Sequence, residues 1–405
     1  MWAQKCASIA LLSLSLAASA SATVLHTSSR WILNEQNERV KLRCANWAGH
    51  MEVNIPEGLQ HQSASYIAEW VASNGFNCVR LTYSIDLALS PDYTVADSFS
   101  RAADPAGVSA ETMQGLYDSA VEKNPWLASS TTLGAFARVI EELEKVGVLV
   151  VLDNHNSRAG WCCSMSDGNG WWDEASGYDP TNSQYFNTQN WLDGLAAMAR
   201  FSASHPNVVG MALRNELRAT GSQDGNNHAD WYNFVAQGSS AVHDANQDLL
   251  IVVGGVSYAT DMSFIGANPF DRSPYPNKVV WEFHNYEWSL SGSTCEARQA
   301  YMGNGAGYLL TQGQPYTGPL WLSEFGWALS NPTPAEDTYV RCLIDYLEGN
   351  DAEWAYWAIM GSYYVRDQQA NYDESFGLLD REWNDWRNST TPRLLAGIFA
   401  VTQGP

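Results

Sequence analysis

The sequence predicts a single-domain α/β protein, a (β/α)8 TIM barrel, and three features of the chain support this fold. Eight short runs are almost continuously apolar, helix-like stretches separate them, and polar residues stand at the downstream ends of most runs. Strands that are apolar on both faces are typical of a parallel sheet covered by helices. In a barrel, the carboxyl ends of the strands share one face, which carries the functional groups.

The predicted strands and helices alternate along the chain in the order expected for βαβ units. The strand-like runs cover residues 40–47, 76–83, 148–155, 208–216, 249–254, 279–286, 320–324 and 354–359. The clearest helices between them cover residues 63–74, 133–145, 191–204, 230–246 and 335–347. Gly75 and Gly147 each follow one of these helices. We predict that both are C-cap residues, because glycine readily adopts a left-handed backbone.

Two connections exceed the ordinary crossover length and are predicted to lie on the active face. Residues 84–132 follow the second strand, and residues 156–190 follow the third. The second connection carries Trp161, Trp171, Trp172 and Tyr178 among Gly, Asp and Ser. This composition predicts an ordered loop that borders a cleft.

The amino terminus has the pattern of a secretory signal peptide. Lys5 precedes an apolar stretch over residues 9–16, and the small residues Ala20, Ser21 and Ala22 form a cleavage site. We expect residues 1–22 to be the signal and residues 23–405 to be one catalytic domain, because the sequence shows no linker or tandem repeat. The expected product is secreted, extracellular and not anchored to a membrane. The sequon Asn388-Ser389-Thr390 fits a secreted glycoprotein.

The cysteines predict disulfides in an oxidising compartment. Cys6 lies in the predicted signal, and the other six are Cys44, Cys78, Cys162, Cys163, Cys295 and Cys342. For Cys44 and Cys78, on neighbouring predicted strands, a bridge and a pair of buried thiols both fit. The adjacent Cys162 and Cys163 are expected to bond to different partners, because a vicinal bridge is strained.

The composition narrows the class of ligand. The formal charge is −22, from 22 basic and 44 acidic residues, which disfavours nucleic acid and anionic membranes as partners. A neutral polysaccharide is indifferent to that charge, and the 18 Trp residues could stack on sugar rings or pack the core. We expect a monomer without a cofactor or catalytic metal. A structural calcium within residues 167–174 or 367–374 remains an alternative to a solvated acidic surface.

Two glutamates carry the functional prediction. Glu216 and Glu324 each end a strand-like run, so a barrel would bring their carboxylates to one mouth. Two such carboxylates suffice to hydrolyse a glycosidic bond, with about 5–5.5 Å between them for retention and about 6.5–9.5 Å for inversion. The other polar or aromatic residues predicted at strand ends are Arg80, His155, Asn215, His284, Tyr286 and Trp357.

This ordered set resembles glycoside hydrolase family 5, the retaining barrel glycosidases that include many cellulases. The matching motifs are Cys78-Val79-Arg80-Leu81, Asp153-Asn154-His155-Asn156, Arg214-Asn215-Glu216-Leu217, His284-Asn285-Tyr286 and Ser323-Glu324-Phe325-Gly326. A fungal-type or other eukaryotic secreted member is the expected branch. Leu217 stands where many members have Pro, which sets the chain apart from the best-known cellulases.

The resemblance implies a role for each residue. Glu216 would be the acid/base and Glu324 the nucleophile, while Asn215 would bond to the sugar 2-hydroxyl. Arg80 and Tyr286 would hold the nucleophile, His155 and His284 would line the catalytic subsite, and Trp357 would be its stacking platform. A guanidinium lowers a carboxylate pKa, so Arg80 is expected to keep Glu324 ionised. Asn46, Trp47 and His50, after the first strand, are further candidates for the site.

The leading hypothesis is therefore a secreted retaining hydrolase of β-linked polysaccharide, closest to an endo-β-1,4-glucanase. One alternative is an exo-acting enzyme whose long loops close the cleft into a pocket. A second is a carbohydrate-binding barrel without activity, although both carboxylates are present. A metal-dependent hydrolase is disfavoured, because His155 and His284 lack an accompanying His-x-His pattern.

Overall fold

The computed structural model describes residues 23–405, and its centre is a closed barrel of eight parallel strands. The barrel strands are β3 (Arg43–Trp47), β4 (Cys78–Ser84), β5 (Leu149–Asn156), β6 (Val208–Ala212), β7 (Leu250–Gly254), β8 (Val279–His284), β9 (Leu320–Phe325) and β10 (Glu353–Tyr356). Each strand pairs with the next along the chain, and β10 closes the barrel against β3. The predicted barrel is confirmed. The predicted signal over residues 1–22 lies outside the described residues.

Every predicted strand-like run overlaps a barrel strand to within one residue at the strand's ends or contains it, but several strands are shorter than their runs. β6 ends at Ala212 and β8 ends at His284. Glu216 and Tyr286 therefore stand on the loops after these strands, where their side chains are free of the sheet ladder and can face the barrel mouth.

Helices cover the outside of the barrel and include all five that the sequence predicts. Between residues 23 and 405 the twelve are α1 (Ala64–Ser73), α2 (Ile85–Leu89), α3 (Val95–Ala102), α4 (Ala110–Lys123), α5 (Thr132–Lys145), α6 (Pro180–Ser183), α7 (Thr188–Ser202), α8 (Asn227–Ala245), α9 (Val256–Ala259), α10 (Cys295–Gly305), α11 (Pro334–Asn350) and α12 (Thr391–Phe399). Of these, α9 is a short left-handed turn whose Ser257 and Tyr258 line the cavity at the barrel mouth. Gly75 and Gly147, with φ of +87° and +75°, follow α1 and α5 as predicted.

The connection 84–132 is largely helical, which the sequence analysis did not predict. It contains α2, α3 and α4, and Thr94 and Ser109 cap the last two by accepting bonds from backbone amides. Val95 and Phe99 lie buried on one face of α3. Their spacing of four residues is a helical signal, but the segment is too short and polar to stand out.

Two antiparallel hairpins flank the barrel. The first joins β1 (His26–Ser28) to β2 (Trp31–Leu33), and the second joins β11 (Ser362–Arg366) to β12 (Gln369–Asp373). Ile32 of the first hairpin packs with inward-facing barrel residues such as Val151 and Trp321. The second hairpin follows β10 and therefore rises on the active face.

The barrel interior changes from apolar to charged along the strands. Cys44, Cys78, Val151 and Val280 form part of a buried apolar layer. Because side chains alternate along a strand, the residues two positions later also point inward. These are Asn46, Arg80, Asp153 and Glu282, and each is at most 1% exposed. The apolar layer thus supports a polar layer directly beneath the mouth.

The six cysteines pair as Cys44–Cys78, Cys162–Cys163 and Cys295–Cys342. The first bridge joins the adjacent strands β3 and β4, which resolves the alternative left open by the sequence. The prediction that Cys162 and Cys163 bond to different partners is wrong. The other four cysteines pair with one another across the fold, so these two neighbours bond to each other.

Most Trp residues serve packing. Trp171 and Trp172, predicted to border a cleft, are fully buried, and Trp172 stacks on Phe234. Trp161 and Trp288 are the large exceptions, at 38% and 62% exposure. None of the helices between residues 23 and 405 has the length and apolar character that a membrane crossing requires.

Candidate active site

The eight predicted site residues gather at the carboxyl end of the barrel. Seven of them line one cavity of about 640 Å³: His155, Asn215, Glu216, His284, Tyr286, Glu324 and Trp357. The eighth, Arg80, lies fully buried beneath the cavity floor. The strands place these residues together although they are up to 277 positions apart in the chain, since Arg80 and Trp357 are residues 80 and 357.

Arg80 is the cation at the base of the site. Its guanidinium lies 2.7 Å from Glu324 Oε1, 2.9 Å from Asp153 Oδ1 and 3.2 Å from Glu282 Oε1. It also donates to Asn215 Oδ1 at 2.8 Å and to Asn46 Oδ1 at 3.0 Å. Arg80 therefore orients both Glu324 and Asn215. Its positive charge also offsets part of the negative charge of the three buried carboxylates. The sequence analysis did not identify Glu282, although a glutamate inside the apolar strand Val279–His284 was a usable signal.

Glu324 accepts hydrogen bonds on both carboxylate oxygens. Arg80 donates to Oε1, and the Tyr286 hydroxyl donates to Oε2 at 3.0 Å. Burial raises the pKa of Glu324 to about 7, while His284 and Arg80 oppose the rise. The expectation that Arg80 gives Glu324 a lowered pKa is thus wrong in its net direction, because desolvation outweighs the ion pair.

His284 stands between carboxylates. Its Nδ1 lies 3.0 Å from Glu216 Oε1 and 3.7 Å from Glu324 Oε2, and its Nε2 lies 3.9 Å from Glu282 Oε1. Burial lowers the pKa of His284, but the surrounding carboxylates outweigh burial and raise it to about 10. The ring is therefore an imidazolium at neutral pH, and it offers a proton to Glu216.

The two glutamates are close together. Single oxygen atoms of Glu216 and Glu324 and a ring nitrogen of His284 all lie within 4.8 Å of one another. Inverting glycosidases hold their carboxyl groups about 6.5–9.5 Å apart, because a water molecule must fit between one carboxylate and the sugar. The separation of these oxygens is well below that range.

The backbone of Glu216 has a left-handed conformation, with φ of +47°. Such a conformation is uncommon for a residue with a side chain, and it costs on the order of 1–3 kcal/mol. Arg218 donates to the Glu216 carbonyl at 2.8 Å and pairs with Asp167, which holds the turn. The Glu216 side chain is 14% exposed, against 6% for Glu324, so it is more accessible from the cavity.

A chain of hydrogen bonds orients Asn215. His155 Nδ1 lies 2.6 Å from Asp153 Oδ2, and Asn215 Nδ2 lies 3.3 Å from His155 Nε2. Burial and the nearby Arg80 keep the pKa of His155 well below its ordinary value, so the ring is neutral. A neutral ring protonated on Nδ1 donates to Asp153 and accepts from Asn215. This arrangement fixes the amide orientation of Asn215.

Two of the three candidates after the first strand contact the site. The His50 ring is tilted by 30° against His155 with 3.9 Å between ring centroids, and Trp357 stacks on the same histidine at 5.4 Å. Asn46 supports Arg80, whereas Trp47 is buried in the core against Trp383. Asn46 and His50 therefore support the site from below, and Trp47 takes no part in it.

Loops supply further cavity-lining groups, of which only Trp161 was predicted to lie on a loop bordering a cleft. Trp288 lies parallel to Tyr286, with ring centroids 4.4 Å apart, and its ring is exposed. Trp161, Cys162 and Cys163 line another part of the same cavity. Loop residues have no strand or helix periodicity, so only the aromatic richness of residues 156–190 pointed towards this wall.

The sequence left open a structural calcium ion within residues 167–174 or 367–374, and the contacts in the structure do not favour it. Asp167 accepts from Arg218, and Glu374 pairs with Arg366 at 3.0 Å, so both carboxylates already have cations. Glu216, His284 and Glu324 are near enough to share an ion, but a protonated His284 is not a ligand. In the described part of the chain, the acidic segments therefore favour ion pairing over calcium.

Replacement of Arg80 by Met is expected to destabilise the protein by about 3–5 kcal/mol, since three buried carboxylates lose their cation. Without Arg80, the pKa values of Asp153 and Glu324, which burial already raises to about 7, rise further, and Glu282 loses the cation that lowers its pKa. The stability they contribute is then present at low pH and lost as pH rises. Urea denaturation should thus show a smaller deficit at pH 5 than at pH 7.

The matched control is Arg138→Met. Arg138 also pairs with a glutamate, Glu142, but its side chain is 42% exposed and Lys145 pairs with the same glutamate, so the expected cost is about 1 kcal/mol or less. A cost for Arg80→Met no larger than that of the control, or one independent of pH, would contradict the role given to the buried network.

Comparison with known proteins is consistent with this geometry. The family profile described as "Cellulase (glycosyl hydrolase family 5)" matches residues 33–362. A "Glycosyl hydrolase 5 family protein" of Chamaecyparis obtusa is 35% identical over 98% of this chain and 69% of its own length. An "Endoglucanase" of Paenibacillus polymyxa is 23% identical over 93% of this chain and 88% of its own.

Solved structures share the fold at low sequence identity. The hyperthermophilic endocellulase of Pyrococcus horikoshii has a TM-score of 0.73 at 16% identity, covering 93% of this chain and 99% of that chain. The catalytic domain of the major endoglucanase of Xanthomonas campestris pv. campestris has a TM-score of 0.70 at 21% identity, covering 93% and 99%. The profile match and the 35% identical relative together show that the chain belongs to glycosyl hydrolase family 5 and is a glycoside hydrolase.

Proposed function

We propose that the protein is a secreted, monomeric endo-β-1,4-glucanase that retains anomeric configuration, with Glu324 as nucleophile and Glu216 as acid/base. The observation that carries this proposal is the short separation of the two carboxylates, within 4.8 Å between single oxygens. A separation this short is expected for the retaining arrangement, in which the carboxyl groups are about 5–5.5 Å apart, and it favours direct attack by one carboxylate. The mature chain would begin at Thr23, after the predicted signal over residues 1–22.

In the first step, a carboxylate oxygen of Glu324 attacks the anomeric carbon, and the glycosidic oxygen leaves with a proton from Glu216. Glu216 must enter this step protonated, and because His284 donates to its Oε1 at 3.0 Å, Oε2 is the oxygen that carries the proton. Arg80 and Tyr286 hold the two Glu324 oxygens in place. Because these donors are fixed before substrate arrives, little reorganisation is needed in the transition state.

In the second step, Glu216 removes a proton from water, which attacks the anomeric carbon and releases Glu324. Formation of the glycosyl-enzyme removes the negative charge of Glu324, so the ionised form of Glu216 is no longer opposed by that charge. Asn215 donates to the neutral ring of His155 and accepts from Arg80. These two bonds orient its amide, so that it can bond to the sugar 2-hydroxyl without rearrangement. Both steps invert the same carbon, and the net result is retention.

The substrate assignment rests on relatives and on the cavity. The relatives from Paenibacillus and Xanthomonas are named endoglucanases, and a similar structure from Pyrococcus horikoshii is a complex with cellotetraose. The stacked pair of Trp288 and Tyr286 offers a flat apolar surface at the cavity edge, which suits a pyranose ring. The acidic surface suits a neutral glucan, because there is no charge to repel.

Viscometry of hydroxyethylcellulose, a neutral soluble cellulose, with reducing ends counted in parallel, tests the endo assignment. Internal cleavage is expected to lower viscosity steeply while few reducing ends have formed. Release of one small product at nearly constant viscosity would favour exo action instead. Proton NMR of the first product tests retention, since the β-anomer should appear before mutarotation, and an α-anomer would overturn the mechanism.

Tyr286→Phe is expected to move the acidic limb of the kcat/KM profile to higher pH by about one unit. The hydroxyl stabilises the ionised form of Glu324, so its loss raises the carboxyl pKa further above about 7. A protonated carboxyl is not a nucleophile, so activity disappears as pH falls through this pKa.

The control for the pH profile is Tyr339→Phe. Tyr339 is also buried, but its hydroxyl donates to the Asn285 carbonyl and not to Glu324. The acidic limb of the kcat/KM profile of Tyr339→Phe should coincide with that of the wild type. If both variants shift equally, the effect would come from general packing and not from the bond to Glu324.

A further inference from the structure

The vicinal disulfide Cys162–Cys163 lies inside the active-site cavity, where nothing in the two-step mechanism uses it. Both cysteines line the cavity, and their sulfur atoms lie within 4.8 Å of one another and of a Glu216 carboxylate oxygen. Asn215 Nδ2 also faces them, at 3.7 Å from Cys162 Sγ and 3.4 Å from Cys163 Sγ. The bridge is therefore in direct contact with two residues of the site.

The position of the bridge relative to the two glutamates indicates which part of a substrate it would meet. Glu216 belongs both to the cluster with the two sulfurs and to the cluster with His284 and Glu324, whereas neither sulfur belongs to the second cluster. In a retaining reaction, the nucleophile and the leaving group lie on opposite sides of the anomeric carbon, and the acid stands at the leaving oxygen. A group beyond the acid thus adjoins the leaving sugar.

The chemistry of the bridge suits a sugar ring. Divalent sulfur is polarizable and a weak hydrogen-bond partner, so two bonded sulfurs form a small apolar surface. Trp161 precedes the bridge in the chain and lines the same cavity, and the Arg366 guanidinium lies 3.4 Å from the centroid of its ring. Residues 161–163, called the strip below, thus bring apolar groups into the cavity beside Asn215 and Glu216.

Arg218 connects the loop that carries residues 161–163 to the backbone of Glu216, the proposed acid/base. Arg218 donates from Nε to the Ser164 carbonyl and from Nη1 to the Glu216 carbonyl, both at 2.8 Å. The same guanidinium pairs with Asp167. One arginine therefore fixes the distance between the disulfide loop and Glu216. A surface held so firmly is already organised before a ligand binds.

We propose that the Cys162–Cys163 disulfide, extended by Trp161, is a contact surface for the leaving-group sugar and a determinant of specificity on that side of the scissile bond. The proposal rests on the assignment of Glu216 as acid/base. The expected ligand is a β-linked glucose unit whose apolar ring face or hydroxymethyl group packs on the sulfurs. The bridge itself takes no part in bond cleavage.

Two substrates distinguish this role from a general structural one. Cellotetraose has a sugar leaving group, whereas β-cellobiosyl fluoride has a leaving group without a ring. The double variant Cys162→Ala/Cys163→Ala is expected to lose about fivefold or more in kcat/KM on cellotetraose, because apolar contact is lost. Its kcat/KM on the fluoride should fall by a clearly smaller factor, since the fluoride has no leaving sugar to contact the strip.

The matched control is Cys295→Ala/Cys342→Ala, which removes the bridge between α10 and α11, away from the cavity lining. Thermal unfolding of both variants measures any loss of stability. The control should leave the ratio of the two kcat/KM values unchanged. Equal losses on both substrates in Cys162→Ala/Cys163→Ala, or no loss on either, would overturn the proposal.

The wild-type enzyme provides a second test that does not depend on folding of a variant. Brief treatment with tris(2-carboxyethyl)phosphine followed by iodoacetamide should modify Cys162 and Cys163 before the fully buried Cys44 and Cys78, and treatment of Cys295→Ala/Cys342→Ala in parallel removes any contribution of the partly exposed Cys295. Peptide mass mapping identifies the modified residues. The alkylated enzyme should again lose activity on cellotetraose selectively, and equal loss on the fluoride would contradict the proposal. Inactivity of the untreated wild type on both substrates would instead refute the proposed function.

Discussion

Glu324→Ala is expected to lower turnover of cello-oligosaccharides by at least about 10⁴-fold, because no other described group can attack the anomeric carbon in its place. Its two oxygens are the ones that Arg80 and Tyr286 hold. Loss of the side chain removes the nucleophile but opens a space next to the anomeric carbon. Sodium azide should enter that space and restore activity on a 2,4-dinitrophenyl cellobioside. The product should be the α-glycosyl azide, because azide then performs a single inversion.

A buried glutamate at the opposite end of the barrel provides the matched control. Glu353 begins β10, is 1% exposed and pairs with Arg39 at 3.3 Å. Burial raises the pKa of Glu353 to about 7, as for Glu324. Glu353→Ala should alter stability while leaving turnover of the folded fraction near the wild-type value. If Glu324→Ala retains more than about 1% of activity, or if azide yields the β-product, the nucleophile is a different residue.

The barrel and the membership of its site were predictable because both depend on local patterns. A continuous apolar run indicates a strand covered on both faces, and a polar residue at its end indicates the mouth. Glu216 and Glu324 illustrate this, since each is the first acidic residue after such a run. Their spatial proximity then follows from barrel closure and requires no knowledge of individual contacts.

The energetics of the site were not predictable, because they depend on packing between distant segments. The pKa of Glu324 rises because the whole barrel mouth excludes water, whereas the sequence indicated only the opposing effect of Arg80. The imidazolium character of His284 likewise requires Glu282, Glu216 and Glu324 around one ring. Net shifts of this kind are small differences between large opposing effects, which a linear motif does not encode.

The vicinal bridge was missed for a different reason. The general expectation that adjacent cysteines bond elsewhere assumes that other partners are available. Here the remaining cysteines meet across β3 and β4 and across α10 and α11. Which of these cysteines come together depends on the register of the barrel strands and on the order of the helices around the barrel. The pairing of Cys162 with Cys163 therefore became evident only from the complete fold.

Glu216→Ala should distinguish the acid/base from the nucleophile by its dependence on the leaving group. On cellotetraose, whose leaving alcohol requires a proton, kcat/KM is expected to fall by about 10²–10⁴-fold. On 2,4-dinitrophenyl cellobioside, whose phenolate leaves without a proton, the first step should continue at a rate near that of the wild type. The second step still lacks its base, so the glycosyl-enzyme should accumulate and appear as a burst of dinitrophenolate.

Mass spectrometry of the quenched Glu216→Ala enzyme should show the cellobiosyl adduct on a peptide that contains Glu324. Azide should accelerate release and yield the β-glycosyl azide, the opposite anomer from that expected with Glu324→Ala, because two inversions then occur. The two products together would assign both glutamates in one experiment. An equal loss of kcat/KM on both substrates, with no burst and no adduct, would mean that Glu216 does not act as the acid. The proton at His284 Nδ1, 3.0 Å from Glu216 Oε1, would then be the nearest alternative source.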